Sequence, residues 1–204
     1  MNIFCYVDSP IGRLMLTSDG AALTGLYMNV TRNKPTKHPT PDDDWIQNAT
    51  QGPLPAAARQ LKEYFAGTRR EFHLPLKMKG TEFQQLVWRE LTKIPFGTTW
   101  SYGQLAKRLG NPNGSRAVGL ANGRNPIAII VPCHRVIGAD GSLTGFGGGL
   151  DRKEWLLTHE GQPVTGELAL GDERNSKGMN SKGAINSGAA RTDRNDASAP
   201  LASG

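Results

Sequence analysis

Hydrophobic and polar residues alternate in three short segments near the start of the chain. These segments cover residues 2–8, 11–18 and 22–29, and the turn-forming pairs Ser9-Pro10 and Asp19-Gly20 separate them. Alternation with a period of two, bounded by turn residues, predicts β-strands. We therefore expect a small antiparallel meander.

The next stretch, from Thr31 to Pro53, is polar and proline-rich and carries the acidic run 42–44, which together predict a long surface loop. From Leu54 to Phe65 the apolar residues recur at helical spacing, with Pro55 near the start and Gly67 beyond the end. We expect this helix to cover the meander.

Three helical patterns follow in the second half of the chain. Two begin with a capping-box pair, Thr81 with Gln84 and Ser101 with Gln104. The predicted helices run from Phe83 to Ile94, from the Ser101 cap through Leu105 to Leu109, and from Ser115 to Asn122. The last two, joined by a turn that contains glycine, are typical of a helix-turn-helix, although an ordinary helical hairpin has the same pattern.

The last of these helices has few side chains that could read base edges. Arg116 stands among Ala117, Gly119 and Ala121, whereas a major-groove reader presents several long polar side chains. Small residues allow close approach to a narrow groove, and a lone arginine could fill the space left by an extruded nucleotide. The alternative is that the small residues pack in the core while Arg116 pairs with a carboxylate.

Composition limits the class of protein. The 204 residues carry a net charge of +6, and residues 79–163 hold ten Lys/Arg against six Asp/Glu, so a polyanion is a plausible partner, with a scattered solvated surface as the alternative. The chain shows neither a membrane span nor a signal peptide, and we expect a cytoplasmic protein. Its two cysteines, Cys5 and Cys133, are expected to be free thiols. Neither they nor the four histidines have metal-ligand spacing.

The candidate chemistry lies in the apolar, strand-like run 129–137, which contains Cys133 followed by His134 and Arg135. A thiol reacts as its thiolate, so a nearby base and positive charge would activate it. The competing interpretation is a buried structural cysteine at the end of a strand.

Beyond residue 162 the apolar periodicity ends and the chain is rich in Gly, Ser, Asn and Ala. Such a composition cannot bury enough surface to fold, and we expect a disordered tail that the activity of the chain does not need. The expected organisation is therefore an N-terminal domain at 1–78, a C-terminal domain at 79–162 and a tail at 163–204.

Several motifs of the second half stand in the order and spacing of one family. They are Tyr102, the run 116–119, Asn125-Pro126, the run 132–135, the glycine-rich segment 145–149, the run 153–157 and the run 159–161. On these motifs the chain resembles the O6-alkylguanine-DNA alkyltransferases. The resemblance implies an α+β fold: an N-terminal ribonuclease-H-like domain with a small antiparallel sheet and a helix, and a helix-rich, winged-helix-like C-terminal domain with a helix-turn-helix.

The resemblance also implies a reaction. Cys133 would accept the alkyl group from O6-alkylguanine in double-stranded DNA, once and irreversibly, without cofactor or metal, in a monomeric protein; O4-methylthymine stays open as a second substrate. His134 would act as the base through a bridging water, and Glu160 would orient it. Tyr102 would donate to the departing guanine, and Asn125 would tie the recognition helix to the reactive turn.

Further residues are implied as contacts to the base or to DNA. Phe146, Gly147 and Gly148 would belong to a lid over the flipped base, and the carbonyls of Cys133 and Val136 would read the guanine amine. Some relatives carry tyrosine at the place of Phe146 and serine at that of Gly147, and the extra glycine is expected to make the lid looser here. The expected DNA contacts are Thr98, Tyr102, Arg116, Ala117, Gly119, Ala121, Asn122 and Arg135.

Two other classes stay open at this point. A cysteine hydrolase could use Cys133, His134 and Glu160 and would turn over many times. A helix-turn-helix regulator, or a lesion sensor, would bind DNA without consuming the thiol.

Overall fold

The three alternating segments form the strands that their pattern predicts. The computed structural model describes residues 2–28, 41 and 44–162. Strands β1 (Asn2–Val7), β2 (Leu14–Ser18) and β3 (Leu23–Met28) pair in antiparallel fashion as a meander. Residues such as Ile3, Leu14 and Leu26 are buried on its inner face.

A fourth strand, β4 (Trp45–Gln47), corrects part of the predicted surface loop. It pairs parallel to β1, so the sheet has the order β3-β2-β1-β4 and is mixed rather than purely antiparallel. Three residues are too few to show an alternation, and Trp45 is held by an edge-on contact with Phe4, whose ring centroid lies 6.2 Å away. Of the acidic run, Asp44 is exposed, whereas residues 42 and 43 lie outside the described part.

Helix α1 (Leu54–Phe65) confirms the helical pattern that follows this region. Pro55 stands at its start, and Gly67 takes a positive φ of 75° just beyond its end. Its buried face includes Leu54, Leu61 and Tyr64, and it packs on β1 and β2. The helix therefore covers the meander, as expected.

The second half contains four helices and a two-stranded sheet. They are α2 (Glu82–Leu91), strand β5 (Trp100–Ser101), α3 (Tyr102–Arg108), α4 (Ser115–Asn122), strand β6 (Val136–Ile137) and α5 (Leu150–His159). Strands β5 and β6 pair in parallel. With the N-terminal sheet this gives the α+β fold that the resemblance implied, with a small sheet first and a helical half after it.

Both capping boxes are present, at Thr81 with Gln84 and at Ser101 with Gln104. Helix α2 nevertheless ends at Leu91, three residues before the predicted Ile94. Ile94 precedes a proline, and the residue before proline disfavours helical backbone angles. Helices α3 and α4 pack against each other through a turn in which Gly110 has a φ of +73°, which confirms the helix-turn-helix arrangement.

The apolar run around the cysteine is not a strand. Ile129 takes a φ of +70°, residues 128–130 form turns, and a short 3-10 helix covers Cys133–Arg135 before β6 begins. A run that is buried on every side has no period that could distinguish a strand from a compact turn. The prediction of a strand here was wrong.

The two halves pack into a single unit. The Leu26 N–H of β3 donates to the Pro126 carbonyl at 2.9 Å, and Arg152 Nε of α5 donates to the Ile11 carbonyl at 2.7 Å. Because backbone from the sheet is bonded to the segment just before the cysteine, both halves position what surrounds it. The expected domain boundary at residue 78 stays a prediction.

Candidate alkyl-acceptor site

Cys133 is the first residue of the 3-10 helix and is buried, with 5% of its surface exposed. It borders a small cavity of about 40 Å³. The cavity wall combines the end of β3, the segment after α4 and the glycine-rich segment: Leu26, Tyr27, Met28, Asn122, Gly123, Asn125, Ala128, Gly145, Phe146, Gly147 and Gly148. The thiol therefore faces an internal space that loop backbone closes, and three of the lining residues come from the N-terminal sheet.

Burial governs the acidity of this thiol. Loss of solvent raises the pKa of Cys133, while a hydrogen bond from Asn125 and the charge of Lys153 act in the opposite direction. At neutral pH the sulfur is consequently protonated in the closed site. A base must accept its proton when it reacts.

His134 and Glu160 form a buried pair directly behind the cysteine. His134 Nε2 lies 2.9 Å from Glu160 Oε1, and both side chains are fully buried. Burial lowers the pKa of His134, against the raising effect of the Glu160 carboxylate. A neutral imidazole that donates from Nε2 leaves Nδ1 as an acceptor, and Nδ1 has no hydrogen-bond partner among the described residues. His134 is thus a neutral base with a free acceptor atom.

Glu160 is held as an anion by several donors. Burial alone would raise its pKa, but hydrogen bonds from His134 and Arg135 outweigh this and hold the pKa of Glu160 well below its usual range. The Gly97 N–H also donates to Oε2 at 3.3 Å. A Cβ at Gly97 would lie 2.9 Å from the Glu160 carbonyl, so this close approach requires glycine.

Arg135 has a different place from the one expected. Its Nε donates to Glu160 Oε2 at 2.8 Å, its second terminal nitrogen donates to Oε1 at 2.9 Å, and its first donates to the Ile94 carbonyl at 2.6 Å. The side chain is 7% exposed. All the nitrogens of the guanidinium are bonded inside the protein, so the side chain has an internal role, and the expected DNA contact stays a prediction.

Tyr64 of α1 reaches the same carboxylate from the N-terminal half. Its hydroxyl donates to Glu160 Oε1 at 2.7 Å, and the residue is fully buried. Sequence reasoning gave Tyr64 no role beyond the core, since the two residues are 96 positions apart and nothing in the chain links them.

Lys153 is a second residue that sequence reasoning left without a role. It is completely buried, and its Nζ donates to the Val136 carbonyl at 2.6 Å and to the Thr144 carbonyl at 2.8 Å. Burial lowers the pKa of Lys153 to about 8, opposed by interaction with Cys133. A signal existed, because residues 153 and 160 fall on the same helix face as Leu156 and Leu157.

Tyr102 begins α3 and lies at the mouth of the site. Its hydroxyl donates to the Thr144 carbonyl at 3.0 Å, which ties α3 to the glycine-rich segment. A Cβ at Gly119 would lie 3.6 Å from the Tyr102 ring. This is an ordinary contact distance, so the tyrosine ring packs beside Gly119, and the expected contact of Gly119 with DNA stays a prediction.

Asn125 and Asn122 connect α4 to the reactive turn. Asn125 Nδ2 donates to the Val131 carbonyl at 2.7 Å, as expected for a residue that ties the two together. Asn122 Nδ2 donates to the Cys133 carbonyl at 3.3 Å. Asn122 and Ala121 are 1% and 3% exposed, so neither lies on the surface of the closed site, and the expected contacts of both with DNA stay predictions.

The outer face of α4 differs from this inner face. Arg116 and Ala117 are exposed, and within the described ranges no carboxylate pairs with Arg116. The alternative of a salt-bridged Arg116 stays open only toward residues outside the described part. Thr98 is half-buried in the loop before β5. These positions leave Arg116 and Ala117 available on the surface of the helix-turn-helix.

The glycine-rich segment lies over the cavity. Gly147 is exposed, Phe146 is half-buried and Gly148 is buried, close to Met28 of β3, whose sulfur would lie 2.7 Å from a Cβ at Gly148. The Val136 carbonyl, expected to read guanine, already accepts from Lys153. One of its two lone pairs remains for a base.

Two general features complete the description. Within residues 2–28 and 44–162, no group of three or more His, Cys, Asp or Glu side chains could hold a metal ion. No helix among those residues is long and apolar enough to cross a membrane.

Comparisons with known proteins agree with this geometry. The model of the 6-O-methylguanine DNA methyltransferase DNA binding domain matches residues 82–162, and that of the ribonuclease-like domain of the same family matches residues 3–78. The chain is 50% identical over 167 residues to the methylated-DNA–protein-cysteine methyltransferase of Mycobacterium tuberculosis, covering 81% of this chain and 96% of that protein. The protein of the same name from Methanosarcina acetivorans is 51% identical over 158 residues, which cover 78% of this chain and 97% of that protein.

Solved structures give the same answer. The crystal structure of Mycobacterium tuberculosis O6-methylguanine methyltransferase matches with a TM-score of 0.70 and 46% identity, covering 82% of this chain and 97% of that one. A Mycobacterium tuberculosis OGT in complex with DNA matches with a TM-score of 0.69 and 47% identity, covering 79% of this chain and 94% of that one. Because the two family models together match residues 3–78 and 82–162, the chain belongs to the 6-O-methylguanine DNA methyltransferase family.

Proposed function

We propose that this protein repairs O6-alkylguanine in double-stranded DNA by moving the alkyl group to its own Cys133. The observation that carries the proposal is the buried thiol at the cavity, with the His134–Glu160 pair directly behind it. Family membership supports direct reversal of DNA methylation by transfer to a cysteine. The choice of O6-alkylguanine as the lesion rests on the site and on the names of the relatives.

The reaction is a displacement at the alkyl carbon. The proton of the Cys133 thiol passes to Nδ1 of His134 through a bridging water, and Glu160 stabilises the imidazolium that forms. The sulfur attacks the alkyl carbon as the bond from that carbon to guanine O6 breaks. Tyr102 breaks its hydroxyl bond to the Thr144 carbonyl and donates that hydrogen bond to the departing guanine, whose negative charge would otherwise make it a poor leaving group.

The product explains why each molecule acts once. The new C–S bond is a thioether, which water does not cleave as it cleaves a thioester. A hydrolase would need a thiol bonded to its base and a hydrolysable intermediate. Here Nδ1 of His134 has no hydrogen-bond partner among the described residues, so the thiol is not bonded to its base, and a thioether gives no route back to the free thiol. A pure lesion sensor would not need an acceptor thiol at this cavity.

The damaged guanine must leave the duplex before it can reach the thiol. Guanine O6 is inaccessible in stacked DNA, so the nucleotide is flipped out at an expense of a few kcal/mol. Exposed Arg116, beside Ala117 on α4, would fill the gap in the stack. The cavity of about 40 Å³ holds a water molecule and not a purine. The segment from Gly145 to Gly149 therefore moves outward as the base enters.

The remaining contacts follow from these positions. Ala117 and Thr98 approach the DNA backbone, Gly147 offers its N–H to guanine O6, and Phe146 covers the base. Most of the affinity comes from phosphate contacts and falls steeply with salt. The protein acts as a monomer, which sedimentation with and without a duplex would test.

The experiment is loss of the lesion from an O6-methylguanine duplex, measured beside duplex binding, in wild type and in Cys133→Ala. Wild type is expected to remove one lesion per molecule, and the variant to bind the duplex without removing it. Cys5→Ala is the matched control, because Cys5 is also buried but lies in β1, and it should repair as wild type does. Lesion loss by Cys133→Ala would overturn the proposal.

A further inference from the structure

The Glu160 carboxylate accepts more hydrogen bonds than it needs to orient the imidazole of His134. Oε1 of Glu160 accepts from the Tyr64 hydroxyl at 2.7 Å, lies 2.9 Å from His134 Nε2 and accepts from Arg135 at 2.9 Å. The reaction described above uses the bond to His134, and Arg135 supplies the compensating charge. The Tyr64 bond has no part in either.

Tyr64 shares a single oxygen with the imidazole. A carboxylate oxygen divides its negative charge among the donors that it accepts from, so a strong bond from one weakens its attraction for another. The Tyr64 and His134 bonds to Oε1 therefore compete. Removing the hydroxyl would leave more of the charge of Oε1 for the imidazolium.

We propose that Tyr64 is a positioning residue for alkyl transfer, which sets how strongly Glu160 stabilises the protonated form of His134. The inference rests on the proposed function, since it concerns the same base. It gives the N-terminal half a part in the chemistry, because α1 supplies a donor to the carboxylate of the acceptor site.

The surroundings fix Tyr64 in this geometry. Its ring packs against Phe65, Phe72 and Phe96, with centroid distances of 5.3, 5.4 and 6.1 Å. Its backbone carbonyl lies 2.8 Å from His159 Nε2. The residue is fully buried, so solvent has no access from which to replace the hydroxyl.

Four other charged or titratable groups lie around His134 and Glu160. Arg135 bonds Glu160 on both oxygens, and both Arg135 and Lys153 lower the pKa of His134 by their charge. Cys133 precedes His134 in the 3-10 helix. His159 contacts Tyr64 and not the carboxylate. Since substitution of the Tyr64 hydroxyl leaves all four in place, a change in the titration of His134 is attributable to the lost bond.

The test is the pH dependence of single-turnover transfer from an O6-methylguanine duplex, at saturating protein, for the full chain and Tyr64→Phe. The plateau rate of the variant should not fall, because the imidazolium is stabilised more strongly, and the low-pH limb of its rate profile should move upward by about half a pH unit, a fraction of the free energy of one hydrogen bond to a charged group. If Tyr64 only stabilised the fold, Tyr64→Phe would unfold at a lower urea concentration, while the low-pH limb of its rate profile would stay at the wild-type pH.

Gln60→Met is the matched control. Gln60 is buried on the same helix, and its side chain bonds the backbone of His73 at 3.0 and 2.8 Å, with no contact to Glu160. It should destabilise the protein to urea while its low-pH limb stays with wild type. An equal movement of the limb in both variants would assign the effect to general loosening of α1 and overturn the inference.

A fluorinated tyrosine at position 64 tests the opposite direction while it keeps the ring and its hydroxyl in place. 3-Fluorotyrosine is a stronger donor, so it should move the limb to lower pH. An unchanged limb for both the fluorinated and the phenylalanine variants would refute the role of Tyr64. If wild type itself left Cys133 unalkylated, the proposed function would have failed instead, so the two failures are distinguishable.

Discussion

Replacing Glu160 by glutamine is the perturbation whose consequence the structure defines best. The change keeps the size of the side chain and removes its charge. Arg135 would then be buried without a counter-charge, and an amide nitrogen would face either the Arg135 donors or the His134 ring. The side chains of Arg135 and Glu160 are 7% and 0% exposed, so water does little to solvate the charge of Arg135 that is left unpaired.

The magnitude follows from that burial. Removing one partner of a buried ion pair lowers the free energy of unfolding by about 3 to 5 kcal/mol. Domains of this size have about 5 to 15 kcal/mol of stability in total, so the variant should still be folded in the cold. Alkyl transfer should slow by about 100- to 10,000-fold, the range contributed by a positioned general base.

Urea unfolding and single-turnover transfer at low temperature measure these two effects separately. Glu154→Gln is the matched control, because Glu154 lies exposed on the same helix α5, and its effect should stay within about 0.5 kcal/mol. A Glu160→Gln protein that lost less than about 1 kcal/mol, or that transferred the methyl group at the wild-type rate, would refute the account of the buried pair.

Four further outcomes are expected. Arg116→Ala should slow repair in a duplex far more than dealkylation of free O6-alkylguanine, and equal losses on the two substrates would argue against a role in base extrusion. Lys153→Met should leave the Val136 and Thr144 carbonyls without their donor, which lowers the free energy of unfolding by about 1 to 3 kcal/mol and slows transfer at pH 7 because the thiol loses a nearby positive charge; full activity would contradict this. A chain ending at Gln162 should repair as the full chain does, so loss of activity would show that the tail contributes. The free energy of unfolding should fall as the pH drops below about 6.5, the ordinary pKa of histidine. The pKa values of His134 and Glu160 are lowered in the folded state, so the unfolded chain binds more protons in acid. A urea midpoint that does not change with pH would contradict this.

Local patterns were enough to predict much of the fold. The capping boxes at Thr81 and Ser101 and the helical spacing of 54–65 are signals within a few residues, and the structure has each element. Strand β4 was not predicted, because a strand of three residues is too short to show an alternation of apolar and polar positions. The run 129–137 was misassigned because a fully buried turn is as apolar as a buried strand.

Long-range contacts explain what the sequence could not supply at the site. The resemblance indicated Cys133, His134 and Glu160 because each belongs to a local motif. The bonds from Arg135 and Tyr64 to Glu160 cross 25 and 96 positions, and no local pattern encodes them. Arg135 was therefore expected on the DNA side, when its charge is used inside the protein.

The most direct test of the central claim is the intact mass of the protein after incubation with a duplex that contains a single O6-methylguanine. The protein should gain the mass of one methylene unit per lesion lost, with one lesion removed per molecule and the added methyl group on the peptide that contains Cys133. Disappearance of the lesion while the mass of the protein stays unchanged would contradict transfer to this sulfur.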